Sequence, residues 1–458
     1  MSMSVDGLVS GMDTTSIISQ LMSAEAGPQN ALKAKLSTTQ NAASAYRTVN
    51  TTFLSITAAA DAALKPDLWA TTKATSSSAN VAISASTGAL TGSLSFNVTK
   101  LASSHAVVNR NTGTWTASTA AYGASSIEVF DKDGVSKGSI PIGGTQTVAD
   151  AAAAINASSY GLSAAVVQIS STEVGLQVTS KTTGADSQFS FTGAGTFSIN
   201  TQGQDAELSI GTTNPYTVSS ASNTFSSVLP GATITVNKAD PLTQVTVNVV
   251  ADPDSVAAKI SALVDAVNAT INTVKTYTSN AQGSKAALKG DYSVSSLGGK
   301  LLDAISSAVG ADGSPANIGF QLTKDGRVTF DKAKFLTALN DNPALVQRMV
   351  SGTPAGNGPD GVAGGGDDVA GVDGIAARLR AVSVSASDAT TGTLVAMATG
   401  QDSLVKDITD RIAAWDLRLA KRKETLTRQF TAMETALSSL KNQSTWLAGQ
   451  INSLPSSS

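Results

Sequence analysis

From Gln401 to Ala448 the chain runs without Pro or Gly and sets an apolar side chain at every seventh position. These are Ile412, Leu419, Leu426, Met433, Leu440 and Leu447, with Leu454 continuing the series. A second row lies three or four residues away at Ile408, Trp415, Phe430, Leu437 and Ile451. A repeat near three and a half residues, with charges between, predicts one long helix that buries a narrow stripe against another helix. Such a helix has nothing within itself to cover the stripe. It requires a partner helix, in the same chain or in another copy.

The N-terminal segment offers one. Asp13 is placed to cap a helix carrying Ile17, Ile18, Leu21 and Met22 on one face. Gly27-Pro28 punctuates, and Pro suits the first turn of a second helix. That helix carries Leu32, Leu36, Ala43, Tyr46, Phe53, Ala60 and Leu64. It should end at Lys65-Pro66, because the residue before Pro avoids the helical region. The two stripes can cover each other. Where neither finds a partner, before about Ala26 and after about Leu404, the isolated chain should be open to proteases.

Between the ends the period changes. Leu94, Phe96 and Val98 alternate within Ser93–Thr99, the pattern of a strand with one buried face. Strand signals recur at Ile127–Phe130, Leu162–Val167, Gly175–Thr179, Phe189–Phe191, Glu207–Ile210, Ala232–Asn237 and Gln244–Val250, with one short helix at Val148–Ile155. Helices return after Asp252-Pro253. One stripe is Val256, Ile260, Leu263, Val267, Ile271 and Val274; another is Leu297, Leu301, Leu302, Ile305 and Val309. A hairpin is signalled by Lys324-Asp-Gly326 between Gly319–Thr323 and Val328–Phe330, and a helix break near Thr390-Thr-Gly392.

The fold class expected is therefore α+β and multidomain. Paired N- and C-terminal helices form a coiled-coil-like leg and a helical domain, and Ser/Thr-rich β domains are inserted between them. The division reads as a leg (1–40 and 405–458), a helical domain with a β-hairpin (41–70 and 251–404), a β domain (71–108 and 205–250) and a second, inserted β domain (109–204).

The chemistry of catalysis is missing. There is no Cys, which removes disulfides, thiolate metal sites and Cys nucleophiles together, and which suits a chain exported unfolded through a narrow channel. The one histidine, His105, reads as an ordinary surface or core residue. No nucleophile elbow, phosphate-binding loop or dinucleotide fingerprint occurs. No catalytic, cofactor-binding or metal site is expected. The acidic loop Asp360, Asp367, Asp368 and Asp373 misses calcium-loop spacing and reads as solvated, and Asp131-Lys-Asp133-Gly134 reads as a hairpin turn. A net charge of −3 gives no overall basic footprint for nucleic acid. The basic run from Arg418 to Arg428, interleaved with Glu424, reads as a solvated helix face. The first residues lack the positive cluster and apolar run of a signal peptide, and no stretch approaches the ~18 apolar residues of a membrane span.

Residues 5–28 read Val-Asp-Gly-Leu-Val-Ser-Gly-Met-Asp-Thr-Thr-Ser-Ile-Ile-Ser-Gln-Leu-Met-Ser-Ala-Glu-Ala-Gly-Pro. This opening resembles that of the flagellar hook-associated protein 2 family, the filament cap proteins. Gly7, Leu8, Ser10, Gly11, Asp13, Ile17, Ile18, Leu21, Met22, Glu25 and Pro28 match its pattern, and Met12 replaces the usual Leu. Gly92–Ala102 looks like the family's first strand, Thr147–Asn156 like a module shared by flagellar axial proteins, and Phe430–Leu447 like the family's C-terminal helix. The stretch from about Asn109 to Thr201 matches least.

The resemblance implies a non-enzymatic cap at the distal end of the bacterial flagellum, extracellular and exported without a cleaved signal peptide. The cap promotes insertion and polymerisation of exported flagellin and prevents its loss. The partners implied are other copies in a ring, commonly a pentamer, then flagellin, the hook–filament junction proteins, the flagellar type III export apparatus and an export chaperone. The contacts with other copies or the filament should come from Leu8, Ile17, Ile18, Leu21, Met22, Ile412, Trp415, Leu419, Leu426, Met433, Leu440 and Leu447. Two other classes compete: an exported adhesin using its β domains, and another axial protein such as a hook–filament junction protein. The Gly-Leu-x-Ser-Gly motif favours the cap.

Overall fold

The computed structural model describes residues 11–111, 114–356 and 370–452. The chain divides into two compact units, one of residues 1–64 with 257–458 and the other of residues 65–256.

The helical unit is built on two very long rods. The first is helix Thr14–Glu25 followed, after the single residue Ala26, by helix Gly27–Leu64. Asp13 caps it by accepting the Ser16 N–H at 2.8 Å, satisfying one of the free donors of the first turn. The second rod is the 60-residue helix Thr393–Asn452, about 90 Å long at 1.5 Å per residue. It continues through Gly400 and Gly449. The break before it falls at Asp388–Gly392, where the Asp388 carboxylate accepts the N–H groups of Thr390 and Thr391 and ends helix Ile375–Ser387.

Helices Pro253–Thr278, Tyr292–Ser306, Lys332–Asp341 and Pro343–Ser351 complete this unit. Val49, Phe53, Ile56, Ile260, Val267, Leu301, Phe335, Val346 and Leu379 are all fully buried in it. The Thr270 hydroxyl donates to the Thr52 carbonyl at 3.1 Å. The Tyr46 hydroxyl donates to Asp291 at 2.6 Å, and burial, helped by that carboxylate, pushes its pKa up to about 12. Helix Tyr292–Ser306 stops before Val309, which was expected to extend its stripe. Val309 instead bridges to Gly313, where a left-handed backbone turns the chain back. Helices Lys332–Asp341 and Pro343–Ser351 were not anticipated.

Among the described residues the β unit holds two large cores and a small cluster of Ala89, Ala232 and Val249 beside the first. The first joins a five-stranded antiparallel sheet to a three-stranded one. In the larger sheet, Gly92–Lys100 lies between Asp240–Ala251 and Ala206–Ile210, flanked by Thr72–Ser76 and Tyr216–Ser220. In the smaller, Ala232–Val236 pairs with Thr224–Leu229 and Val81–Ala85. Phe96, Leu208, Ile234 and Val247 are buried between them, the inward half of each alternation.

The second core lies within residues 106–201. It packs a four-stranded sheet, a three-stranded sheet and helix Val148–Ala157 around Trp115, Tyr122, Ile127, Ile155 and Leu176. That helix opens with a capping box, Thr147 accepting the Asp150 N–H and Asp150 accepting the Thr147 N–H. Asp131 spends its carboxylate on the N–H groups of Asp133 and Val135, so the Asp131–Gly134 segment is a hairpin turn.

His105 sits where the chain passes from one core to the other. It is 2% exposed. Its Nδ1 accepts the Gly203 N–H at 3.2 Å, and its ring meets Phe189 edge-on with centroids 5.0 Å apart. Burial pushes its pKa below the ordinary value, opposed by a backbone hydrogen bond with Phe189. The folded chain therefore binds fewer protons at this site than the unfolded chain. The stability it contributes is present above the unfolded pKa of about 6.5 and is lost as pH falls through the lower folded value. The β unit should melt at a lower temperature at pH 5 than at pH 7, and His105→Gln should shrink that difference. Equal pH sensitivity in variant and parent would show that His105 does not titrate against folding.

Candidate functional site

The two rods run antiparallel, as their cross-links show. Going up the first rod, Glu25 meets Arg422 (2.8 Å), Gln29 meets Asp416 (2.5 Å), Arg47 meets Asp402, and Asp61 meets Arg380 of the helix before the break. Exposed ion pairs of this kind contribute only about 0–1 kcal/mol each. Their value here is register. The side chain of Gln29, 5% exposed, also accepts from Lys33, so a polar group inside the seam has both ends satisfied. Sliding one rod by a turn would strand it.

This register decides which part of the apolar stripe is covered. Along helix Thr393–Asn452, Leu394, Ile408 and Leu426 are buried, while Ile412, Trp415, Leu419 and Met433 are half-buried at the seam. On the opposite rod Ile18 is buried, Ile17 and Met22 are half-buried, and Leu21 is exposed. Extrapolating the Glu25–Arg422 pairing puts Thr14, where the first rod begins, level with about Met433. Leu437, one turn on, is still half-buried, and beyond it the stripe is bare: Leu440 is 61% exposed, Trp446 65%, Leu447 54% and Ile451 60%. Leu8 and Leu454 lie outside the described residues.

The expectation that everything after Leu404 lacks a partner is therefore corrected. The N-terminal helix Thr14–Glu25 packs on the C-terminal rod within one chain, so the seam is closed down to about Met433 and only the last turns remain open. Trp446 is among the uncovered residues.

No cluster of three potential metal ligands occurs among the described residues, and none of the described helices is long and apolar enough to cross a membrane. What the geometry offers is a stiff two-helix leg with an apolar overhang.

The sequence pattern of the flagellar hook-associated protein 2 C-terminus matches residues 203–442, and that of the same protein's N-terminus matches residues 10–105. The chain belongs to the flagellar hook-associated protein 2 family. Within it, the chain is 25% identical over 475 residues to flagellar hook-associated protein 2 of Escherichia coli strain K12, spanning 97% of both chains. It is 28% identical over 229 residues to lateral flagellar hook-associated protein 2 of Vibrio parahaemolyticus, covering 46% of this chain and 51% of that one. The fold is similar to the crystal structure of domains D1 to D3 of the flagellar cap protein FliD from Escherichia coli. The TM-score is 0.59 at 24% identity, over 78% of this chain and 99% of that one.

Hook-associated protein 2 membership agrees with the architecture point by point. Helices stand at both ends, a sheet-rich region lies between them, and the class is α+β. The two matched patterns leave residues 106–202 between them, which include the second β core. That is also the stretch where the sequence resemblance was weakest.

Proposed function

We propose that this protein caps the distal end of a bacterial flagellar filament, where it promotes insertion of exported flagellin and prevents its escape. The bare overhang from Leu440 to Ile451 carries this reading. A soluble helix that keeps four large apolar residues in water has a surface reserved for other chains. In a flagellar hook-associated protein 2, those chains are other copies of the cap and the subunits at the filament end.

Of the residues singled out from sequence, Leu21, Leu440 and Leu447, with Leu8, serve as contacts between chains. Ile17, Ile18, Met22, Ile412, Trp415, Leu419, Leu426 and Met433 hold the leg together. On this reading residues 1–40 and 405–458 form the leg, 41–70 and 251–404 the helical domain, and 71–108 with 205–250 and 109–204 the two β domains. The assembled form is a ring, commonly a pentamer in the family. Hook–filament junction proteins, the type III export apparatus and an export chaperone are the further partners on this reading, with passage to the cell exterior in an unfolded state. The role is structural and involves no enzymatic turnover.

Deleting the gene tests the reading against the exported adhesin. Cells should release unpolymerised flagellin into the medium and carry few filaments. Filaments of normal number and length, with adhesion lost instead, would reject the cap and support the adhesin.

A further inference from the structure

We infer that the middle of the leg, around Trp415, is a docking site for an acidic amphipathic helix of a different protein. The inference does not depend on the cap reading, because it uses the closed part of the seam and not the bare overhang.

Two open grooves flank Trp415. One, of about 490 Å³, has Pro28, Leu32 and Trp415 as its apolar floor and Lys35, Arg411 and Arg418 as its rim. The other, of about 330 Å³, runs on past Leu419 toward Lys421 and Arg422. The Arg418 guanidinium lies over the Trp415 ring, 4.9 Å from its centroid, and joins the two grooves.

The charge here is opposite to that of the molecule. The chain carries −3 overall, yet residues 411–428 contain six basic and two acidic side chains. Both acids are engaged, Asp416 with Gln29 and Glu424 with Arg428. Arg411 and Arg422 are matched by Asp407 and Glu25. Among the described residues, Lys35, Arg418, Lys421 and Lys423 have no carboxylate within ion-pair distance.

These features select the occupant. A second copy meeting this face belt to belt would set like charges against each other, which opposes docking, and a heterologous ring contact would have to offer it an acidic patch instead. An acidic partner is favoured. A featureless polyanion would use the rim but leave the apolar floor in water. A helix with acids on its flanks and large apolar residues on one face satisfies both, lying along the groove as a third helix.

The test uses the full chain and a fluorescent three-heptad peptide with Leu at its a and d positions and Glu dominating the rest. Fluorescence anisotropy should show saturable binding that weakens with added salt. Arg418→Glu with Lys421→Glu should weaken it at least about tenfold, as for reversal of a docking charge pair. Both residues are exposed, so the thermal melt of this variant should match the parent. A scrambled peptide of the same composition, and poly-glutamate, should bind at least about tenfold more weakly, since neither can present an apolar face. Absence of saturable binding, equal binding of the scrambled peptide or poly-glutamate, or an unchanged affinity in the double variant would each overturn the proposal.

Discussion

Replacing Leu440 and Leu447 with Asp should leave the isolated protein folded and abolish its assembly. Both side chains are more than half exposed in the monomer, so the new carboxylates stay in water. Exposed substitutions of this kind usually change stability by no more than about 0.5 kcal/mol. If the assembled cap covers the same positions, as proposed, they lose their water, and each uncompensated buried charge costs roughly 3–5 kcal/mol. Two such losses exceed what a short helical contact supplies. Cells carrying the variant should export flagellin but build few filaments, with the protein present at parental levels. Leu426→Asp is the instructive contrast. Leu426 is already buried within one chain, so this substitution should open the leg of the monomer itself and lower its melting temperature. Normal filaments in the Leu440/Leu447 variant would remove the overhang from the mechanism.

Phe53→Ala should destabilise the helical unit by about 3–5 kcal/mol, the usual cost of emptying an aromatic site that cannot collapse. Phe53 is fully buried in helix Gly27–Leu64, among helices drawn from both ends of the sequence. The β unit has its own cores, built around Phe96 and Leu208 and around Trp115 and Leu176. Calorimetry should therefore show one transition moving and another staying in place. A single transition that shifts as a whole would mean that the two units share their stability.

Much of this architecture was legible because the long helices and central strands carry strong periods. The stripe from Ile412 to Leu447 and the alternation of Leu94, Phe96 and Val98 each fix element and face together. Strands Thr72–Ser76 and Tyr216–Ser220 left no such signal. They lie at sheet edges, are made largely of Ser and Thr, and need no full apolar face. Strand Ser136–Pro141 was obscured by Gly138 and Pro141, residues that read as turn. Helix Lys332–Asp341 buries only Phe335 and Leu339, too few to show a period.

The candidate surface was half legible. Its periodicity demands a partner, but which turns find one inside the chain depends on Glu25 meeting Arg422 and Gln29 meeting Asp416. Those pairs are nearly 400 positions apart, and no local pattern announces them. The grooves beside Trp415 escaped for a different reason. A basic run on a helix is ordinarily a solvated face, and only the opposite rod supplies Pro28 and Leu32 as a floor.

The proposed cap needs a leg that is closed within one chain to about Met433 and completed beyond it by other chains. Hydrogen exchange on the dilute monomer and on the assembled protein tests it directly. Amides from Leu404 to Leu426 should be protected in both states. Those from Leu440 to Ile451 should exchange at least about tenfold faster than the seam in the monomer and slow sharply on assembly, because an unpacked helix end opens at little cost. Protection of Leu440 to Ile451 in the dilute monomer, or no change there on assembly, would mean that these turns are not the surface other chains cover.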